Sequence, residues 1–356
     1  MTKTSTTRHL INKNSSVTGK VIMELNILYC SDNNYAPYCG ISMLSLLEAN
    51  RKAESITVYV VSDAISDENV SRLKKTVEAY GPDRHLELVD GRQIVERLKN
   101  SGMGSYRGGQ TANLRLFFPE YIKSEVHRLL YLDCDTLICD DLCDLFATPM
   151  GDHPVAAVRD ALTSDYKIQY GLRAEDIYFN SGVLLFDVDN WLASDCAGEL
   201  QKIFAVPEYR GANNDQDYLN RLLLGRLTLL SPRYNFQTPH YIFRDKTYFS
   251  VCPRKNYYSE EELQSARKHP AILHTYRFLG QFPWTENFLH PAAKQYRTWL
   301  ARSEWSDCGI APDVKNRLFK VERILYRTLP EAAFFRLFFK MQNKHFNSEL
   351  QKRCNA

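Results

Sequence analysis

Short apolar runs alternate with amphipathic stretches through residues 25–274. Residues 25–29 and 57–61 read as strands, followed by helical patterns that run through 42–49 and 67–79. Ser66 and Asp67 open the second helix, and Gly81-Pro82 closes it. Residues 86–89, 129–132, 155–158, 183–186 and 271–274 continue the series of strands, with a short helix expected at 114–118. Strands that are apolar along their whole length are buried on both faces. Their alternation with helices predicts βαβ units in a Rossmann-like mixed, mainly parallel sheet flanked by helices.

The run at 129–132 ends in Asp133 and Asp135. Side chains two apart on a strand share a face, and the carboxyl ends of buried strands are where an α/β sheet holds its ligand. Two carboxylates there need a cation, and Mn²⁺ or Mg²⁺ suits oxygen ligands. A plain strand-end turn explains the same spacing, and Asp-x-Asp recurs at 187/189 and 215/217. There the expectation is helix capping, by Asp189 ahead of Trp191 and by Asp215 ahead of Tyr218 and Leu219.

Composition narrows the class. A 24% charged, 44% hydrophobic chain of 356 residues is that of a globular protein, and no apolar stretch approaches the ~20 residues that span a bilayer. Residues 1–22 are polar, carry no secretory h-region, and read as a disordered tail. Nine irregularly spaced cysteines lack the paired spacing of a zinc site and fit a reduced, cytoplasmic chain. Residues 312–356 hold ten Lys/Arg against four Asp/Glu, so this region is basic and the rest slightly acidic. Val314, Leu318, Val321 and Leu325 follow helical spacing among basic residues, and Phe334, Phe335, Phe338 and Phe339 follow after Pro330. Such helices suit either an anionic membrane surface, at the inner face of the cytoplasmic membrane, or packing on the body with the aromatics as core. No nucleic-acid partner is expected.

Other groups carry chemistry with an ordinary structural alternative beside it. His274 ends an apolar run, as a third metal ligand or a structural histidine. Asn180 precedes the 183–186 strand, in a turn or on a hydroxylated ligand. Asp32 and Asn34 follow the first strand, at the edge where nucleotides bind. Arg115, among apolar neighbours, needs a carboxylate or a diphosphate. The glycine-rich loop 101–109 is neither a dinucleotide fingerprint nor a Walker loop; a mobile loop near substrate is the alternative.

Six segments in chain order resemble glycosyltransferase family 8, retaining enzymes of the GT-A fold that include bacterial lipopolysaccharide galactosyl- and glucosyltransferases. They are 27–38 (ILYCSDNNYAPY), 114–116 (LRL), 130–137 (LYLDCDTL), 178–185 (YFNSGVLL), 214–217 (NDQD), and His274 with Pro283-Trp284, covering about residues 24–290. The resemblance implies a GT-A catalytic domain at 23–300 with a basic, aromatic helical appendage at 301–356. It implies Mn²⁺ (or Mg²⁺) on Asp133, Asp135 and His274. Cys30, Asp32, Asn34 and Tyr35 would hold uridine and ribose, and Arg115 the diphosphate or donor sugar. Asp160, Asn180, Asp215 and Gln216 would surround the donor sugar, with Cys134 and Ser181 in the same donor-binding motifs. Gln216 and Asp215 are the candidate catalytic pair. An amide is a poor nucleophile, which favours front-face attack over double displacement. Relatives place a Lys just before Pro-Trp; here Phe282 stands there, and Arg277 is the candidate replacement. The expected partners are a UDP-sugar donor and a glycan or glycolipid acceptor. The alternatives are a sugar nucleotidyltransferase, for which residues 30–37 lack a triphosphate cradle, and a non-catalytic nucleotide-sugar-binding relative.

Overall fold

The computed structural model describes residues 23–354 except 63, 102, 104–108, 164, 253–254, 287–288, 290–291 and 314. The tail 1–22, most of the 101–109 loop and Val314 therefore lie outside the described residues.

Among the described residues, ten strands form two sheets: β1 (Glu24–Cys30), β2 (Ser55–Ser62), β3 (Arg84–Asp90), β4 (Arg128–Leu132), β5 (Thr136–Ile138), β6 (Val155–Arg159), β7 (Phe179–Asp187), β8 (Leu227–Leu229), β9 (Phe236–Gln237) and β10 (Ile272–His274). The main sheet has the order β3-β2-β1-β4-β7-β6-β8, and the second is β5-β10-β9. Only β7 runs against its neighbours in the main sheet. The carboxyl ends of β1, β4 and β6 and the amino end of β7 consequently share one edge. The 271–274 run, expected as one more strand of the series, belongs to the smaller sheet.

Period-2 alternation splits the core between the two faces. Ile27, Val58, Leu130 and Leu132 pack under the helices Ala36–Ala49 and Asp67–Glu78 through Met43, Leu46, Leu73 and Val77. Leu28, Tyr59, Leu129 and Tyr131 face Leu98, Trp191, Leu200 and Leu219 on the other side. Ser66 caps its helix as expected, its Oγ accepting from the Asn69 amide at 3.3 Å. Two other caps differ. Asp187, rather than Asp189, caps the helix Val188–Ala193, because β7 carries its pairing through residue 187 and leaves that carboxylate at the turn. Asp215 is the first residue of its helix and Asn214 the cap position; the Asp215 side chain turns inward instead. The 114–118 helix is a pair of 3₁₀ turns, Thr111–Leu116 and Phe118–Glu120.

The C-terminal region forms two helices, Arg317–Thr328 and Glu331–Cys354. Phe334, Phe335, Phe338 and Phe339 are buried against Phe243, Tyr248, Phe278 and Leu279, so these aromatics are core. The helix Arg317–Thr328 differs: Leu318, Val321 and Ile324 are 70%, 53% and 60% exposed. No helix among the described residues is long and apolar enough to cross a membrane.

Candidate active site

A cleft of about 730 Å³ opens at the shared strand edge. Asp133 is the first residue past β4, and its amide donates to the Gly182 carbonyl of β7 at 2.8 Å. Asp135 precedes β5, and its carbonyl accepts from the Thr275 amide at 2.9 Å. Because β5 and β10 pair antiparallel with Thr136 opposite His274, the imidazole lies beside both carboxylates. Its Nε2 is 3.2 Å from Asp135 Oδ1 and 3.6 Å from Asp133 Oδ2. The three candidate ligand atoms lie within 4.8 Å of one another, the one such group of three among the described residues.

Asn235, on no motif of the sequence, supports this corner. Its Oδ1 accepts from His274 Nδ1 at 3.0 Å, which leaves Nε2 as the ligand nitrogen. Asn235 Nδ2 donates onward to Asn180 Oδ1 at 2.9 Å. Gly182 fits the same corner for a steric reason: a Cβ there would lie 2.2 Å from His274 Cε1 and 2.7 Å from Asp133 Oδ2. Burial alone would push His274 down, but the Asp135 and Asp133 carboxylates override it and hold the imidazole above its ordinary value. Two carboxylates and one imidazole around a space that only glycine leaves open fit a hard divalent ion, which would take the proton's place between them.

Arg115 is buried and meets carboxylates on two sides. Nη1 donates to Asp133 Oδ1 at 2.8 Å and to the Ser181 carbonyl at 2.9 Å, and Nη2 lies 3.0 Å from Asp215 Oδ2. Of its two expected partners, an internal carboxylate or a diphosphate, the described contacts contain the first. Burial raises Asp215, with Arg115 opposing and Asp133 adding like charge. Ser181 Oγ donates to Asp215 Oδ2 at 2.9 Å. Gln216 is tied on both ends: Oε1 accepts from the Ser181 amide at 3.0 Å, and Nε2 donates to Asp160 Oδ2 at 3.3 Å. Asn180 Nδ2 donates to that same Asp160 oxygen at 3.2 Å. Asp160, Asn180 and Gln216 thus form one network at the carboxyl end of β6.

The other end of the cleft is built from the β1 turn. Cys30, Asp32, Tyr35 and Cys134 line it, whereas Asn34 is exposed and not among the lining residues. Asp32 Oδ1 accepts from the Tyr35 amide at 2.9 Å, so this carboxylate also shapes the turn. Burial pushes the Cys30 thiol up to about 12, so it stays protonated. Arg277 and Phe282 line the cleft too; Arg277 lies 5.6 Å from the Phe319 ring centre, and Phe282 stacks on Trp284 at 4.6 Å.

Two contributors stand in patterns of the sequence that gave them no role at the cleft. Asp217 is buried, accepting from the Tyr166 and Tyr178 hydroxyls and from the Asn213 amide at 2.7 Å. Gly211 runs close enough that a Cβ there would clash with it. The helix Glu331–Cys354 supplies Phe338, Gln342, His345, Phe346 and Glu349 to the lining.

Comparison with known proteins agrees with this architecture. General stress protein A of Bacillus subtilis is 29% identical over 290 residues, 80% of this chain and 96% of that protein. The lipopolysaccharide 1,3-galactosyltransferase of Salmonella typhimurium is 25% identical over 81% of each chain. Among solved structures, galactosyltransferase LgtC with donor and acceptor sugar analogues superposes with a TM-score of 0.61 at 23% identity, over 79% of this chain and 96% of that one. Residues 26–287 match the sequence pattern of Glycosyl transferase family 8, and this chain is a member of that family.

Proposed function

We propose that this protein is a metal-dependent retaining hexosyltransferase that moves glucose or galactose from a UDP-sugar to lipopolysaccharide or another surface glycan. The observation that carries the reading is the convergence of Asp133, Asp135 and His274 at the edge of a cleft whose other end is formed by Cys30, Asp32 and Tyr35. The lipopolysaccharide 1,3-galactosyltransferase of Salmonella typhimurium supports the hexosyl and lipopolysaccharide parts. Asp133, Asp135 and His274 would hold Mn²⁺ or Mg²⁺. Such an ion, when bound, offsets the negative charge that builds on a diphosphate as it leaves.

The chain's own residues do the remainder. Asp32 and Tyr35 hold the uridine end, with Cys30 and Cys134 as the wall beneath it. Arg115 fixes the Asp133 and Asp215 carboxylates in one orientation, so neither swings away when the donor enters. Asp160, Asn180 and Gln216 orient the donor hexose, and Asp215 and Gln216 present negative carboxylate and carbonyl oxygen to positive charge developing at its anomeric carbon. The bond from that carbon to the phosphate oxygen breaks while the bond to the acceptor oxygen forms on the same face. The acceptor proton passes to the departing phosphate. Gln216 Oε1 is already engaged by Ser181, which suits a stabilising group better than a nucleophile. Arg277, which lines the cleft, would meet the diphosphate.

UDP release from UDP-glucose, UDP-galactose and UDP-N-acetylglucosamine, with Mn²⁺ and with EDTA, tests the reading. EDTA-sensitive release from one hexose donor supports it and names the sugar. Pyrophosphate release from nucleoside triphosphate plus sugar phosphate would replace it with nucleotidyl transfer. We also propose attachment to an anionic membrane through the exposed Leu318, Val321 and Ile324 between Arg317, Lys320 and Arg327. Flotation with anionic liposomes that Leu318→Ser/Ile324→Ser leaves unchanged would remove that part.

A further inference from the structure

The family match ends at residue 287, yet one face of the helix Glu331–Cys354 lines the cleft. Phe338, Gln342, His345, Phe346 and Glu349 recur at the three- and four-residue intervals that put side chains on one helical face. The helix is held from both ends. Phe334, Phe335, Phe338 and Phe339 pack into the cluster with Phe243 and Phe278. Farther along, the Phe346 ring sits 5.2 Å from Tyr166, and Leu350 packs with Tyr170 and Tyr178. Asn343 Nδ2 donates to Asp165 Oδ2 at 3.0 Å. Tyr166 in turn donates to Asp217, one residue after Gln216. These attachments set the helix beside the Asp160–Gln216 network, the sugar end of the cleft.

We propose that this helical face is the acceptor subsite, and that Gln342 and His345 recognise hydroxyls of a terminal hexopyranose while Phe346 backs its apolar ring face. The proposal rests on the donor reading above. An amide and an imidazole each both donate and accept, which is what a ring of sugar hydroxyls needs, and aromatic walls with a few convergent polar groups are the usual make-up of a ligand site. The subsite comes from outside the matched segment, so acceptor choice can differ between family members that share a donor site.

The test is steady-state UDP release with Mn²⁺ and the accepted UDP-hexose, titrating methyl α- and β-glucosides, methyl α- and β-galactosides, and lactose as acceptors. Gln342→Ala and His345→Ala should each raise the acceptor KM about three- to tenfold, the loss of one neutral hydrogen bond, while the donor KM stays within about twofold. His345→Asn, which keeps a donor and an acceptor, should recover part of the loss. Unchanged acceptor KM would overturn the proposal. So would acceptor and donor KM rising together, which would make the helix a general support of the cleft. Wild-type protein that cleaves a UDP-hexose but is accelerated by none of the hexosides would overturn the hexose-acceptor assignment. If no UDP-hexose is cleaved at all, the donor reading itself has failed, a different outcome.

Discussion

The two walls of the cleft are held by different forces. The Asp133–Asp135–His274 corner is made of backbone pairing. Asp133 is bonded to β7, Asp135 to residue 275, and His274 is registered against Thr136, so three side chains converge without needing each other. The second wall is one helix, set down by aromatic rings beyond the matched segment. The first arrangement is directional and intolerant of any shift. The second is non-directional and tolerates substitution of its exposed face while the rings stay packed. On the proposed reading, this difference would let one donor corner be combined with different acceptor walls.

The largest expected effect breaks the first wall. Asp135→Ala removes one of the three proposed ligands, and because loss of an outer partner alone weakens metal sites about 10- to 100-fold, metal affinity and turnover should fall together by more than that. Calorimetric titration with Mn²⁺ beside UDP-release assays reads both, and unchanged turnover would refute the ligand assignment. Next comes the second wall. Phe335 is fully buried, and Phe335→Ala should lower unfolding stability by about 3–5 kcal/mol through lost burial and the cavity left behind. In urea denaturation the whole loss should appear as reduced stability, while Mn²⁺ affinity at low denaturant stays near wild type. A matching loss of metal affinity would mean that the walls are one cooperative unit.

Much of the first wall was legible because its chemistry lies at strand ends, where a short apolar run points at the residue that follows it. Asp133 and Asp135 are legible for that reason; the steric role of Gly182 was not, because the Asn-Ser-Gly that holds it reads equally as an ordinary turn. Asn235 was not, since it reaches His274 only through the pairing of β9 with β10, and no local pattern marks a two-residue strand. The aromatics of the last helix showed an amphipathic face without saying what it met. The structure divides that ambiguity: Phe334, Phe335, Phe338 and Phe339 turn to the core, and the most exposed apolar residues, Leu318, Val321 and Ile324, belong to the preceding helix. Asp187 and Asp215 show the limit of capping rules. The residue type was right for a cap in both places, but strand length decided the first and a buried arginine the second.

Asp217 lies between the last helix and the sugar end of the cleft, one residue from Gln216 and bonded to the Tyr166 that Phe346 touches. Burial raises its carboxyl from the usual 3.8 to about 6, against the Tyr166 and Tyr178 hydroxyls that favour the charged form. The folded protein therefore keeps a proton here that the unfolded chain releases near pH 4. Between about pH 4 and 6 the folded state binds more protons, so this group's contribution to stability falls as pH rises, and it is level outside that window. A shift of this size corresponds to about 3 kcal/mol. Asp217→Asn cannot ionise and lacks the slope, so its stability relative to wild type should improve by about 3 kcal/mol as pH rises from 4 to 7, measured by urea denaturation of both proteins at each pH. Other carboxylates contribute equally to the two proteins and cancel in the difference. A flat difference would mean that Asp217 is charged throughout. Its three hydrogen bonds would then outweigh burial, and this carboxylate would be a fixed anion and not a neutral group at low pH.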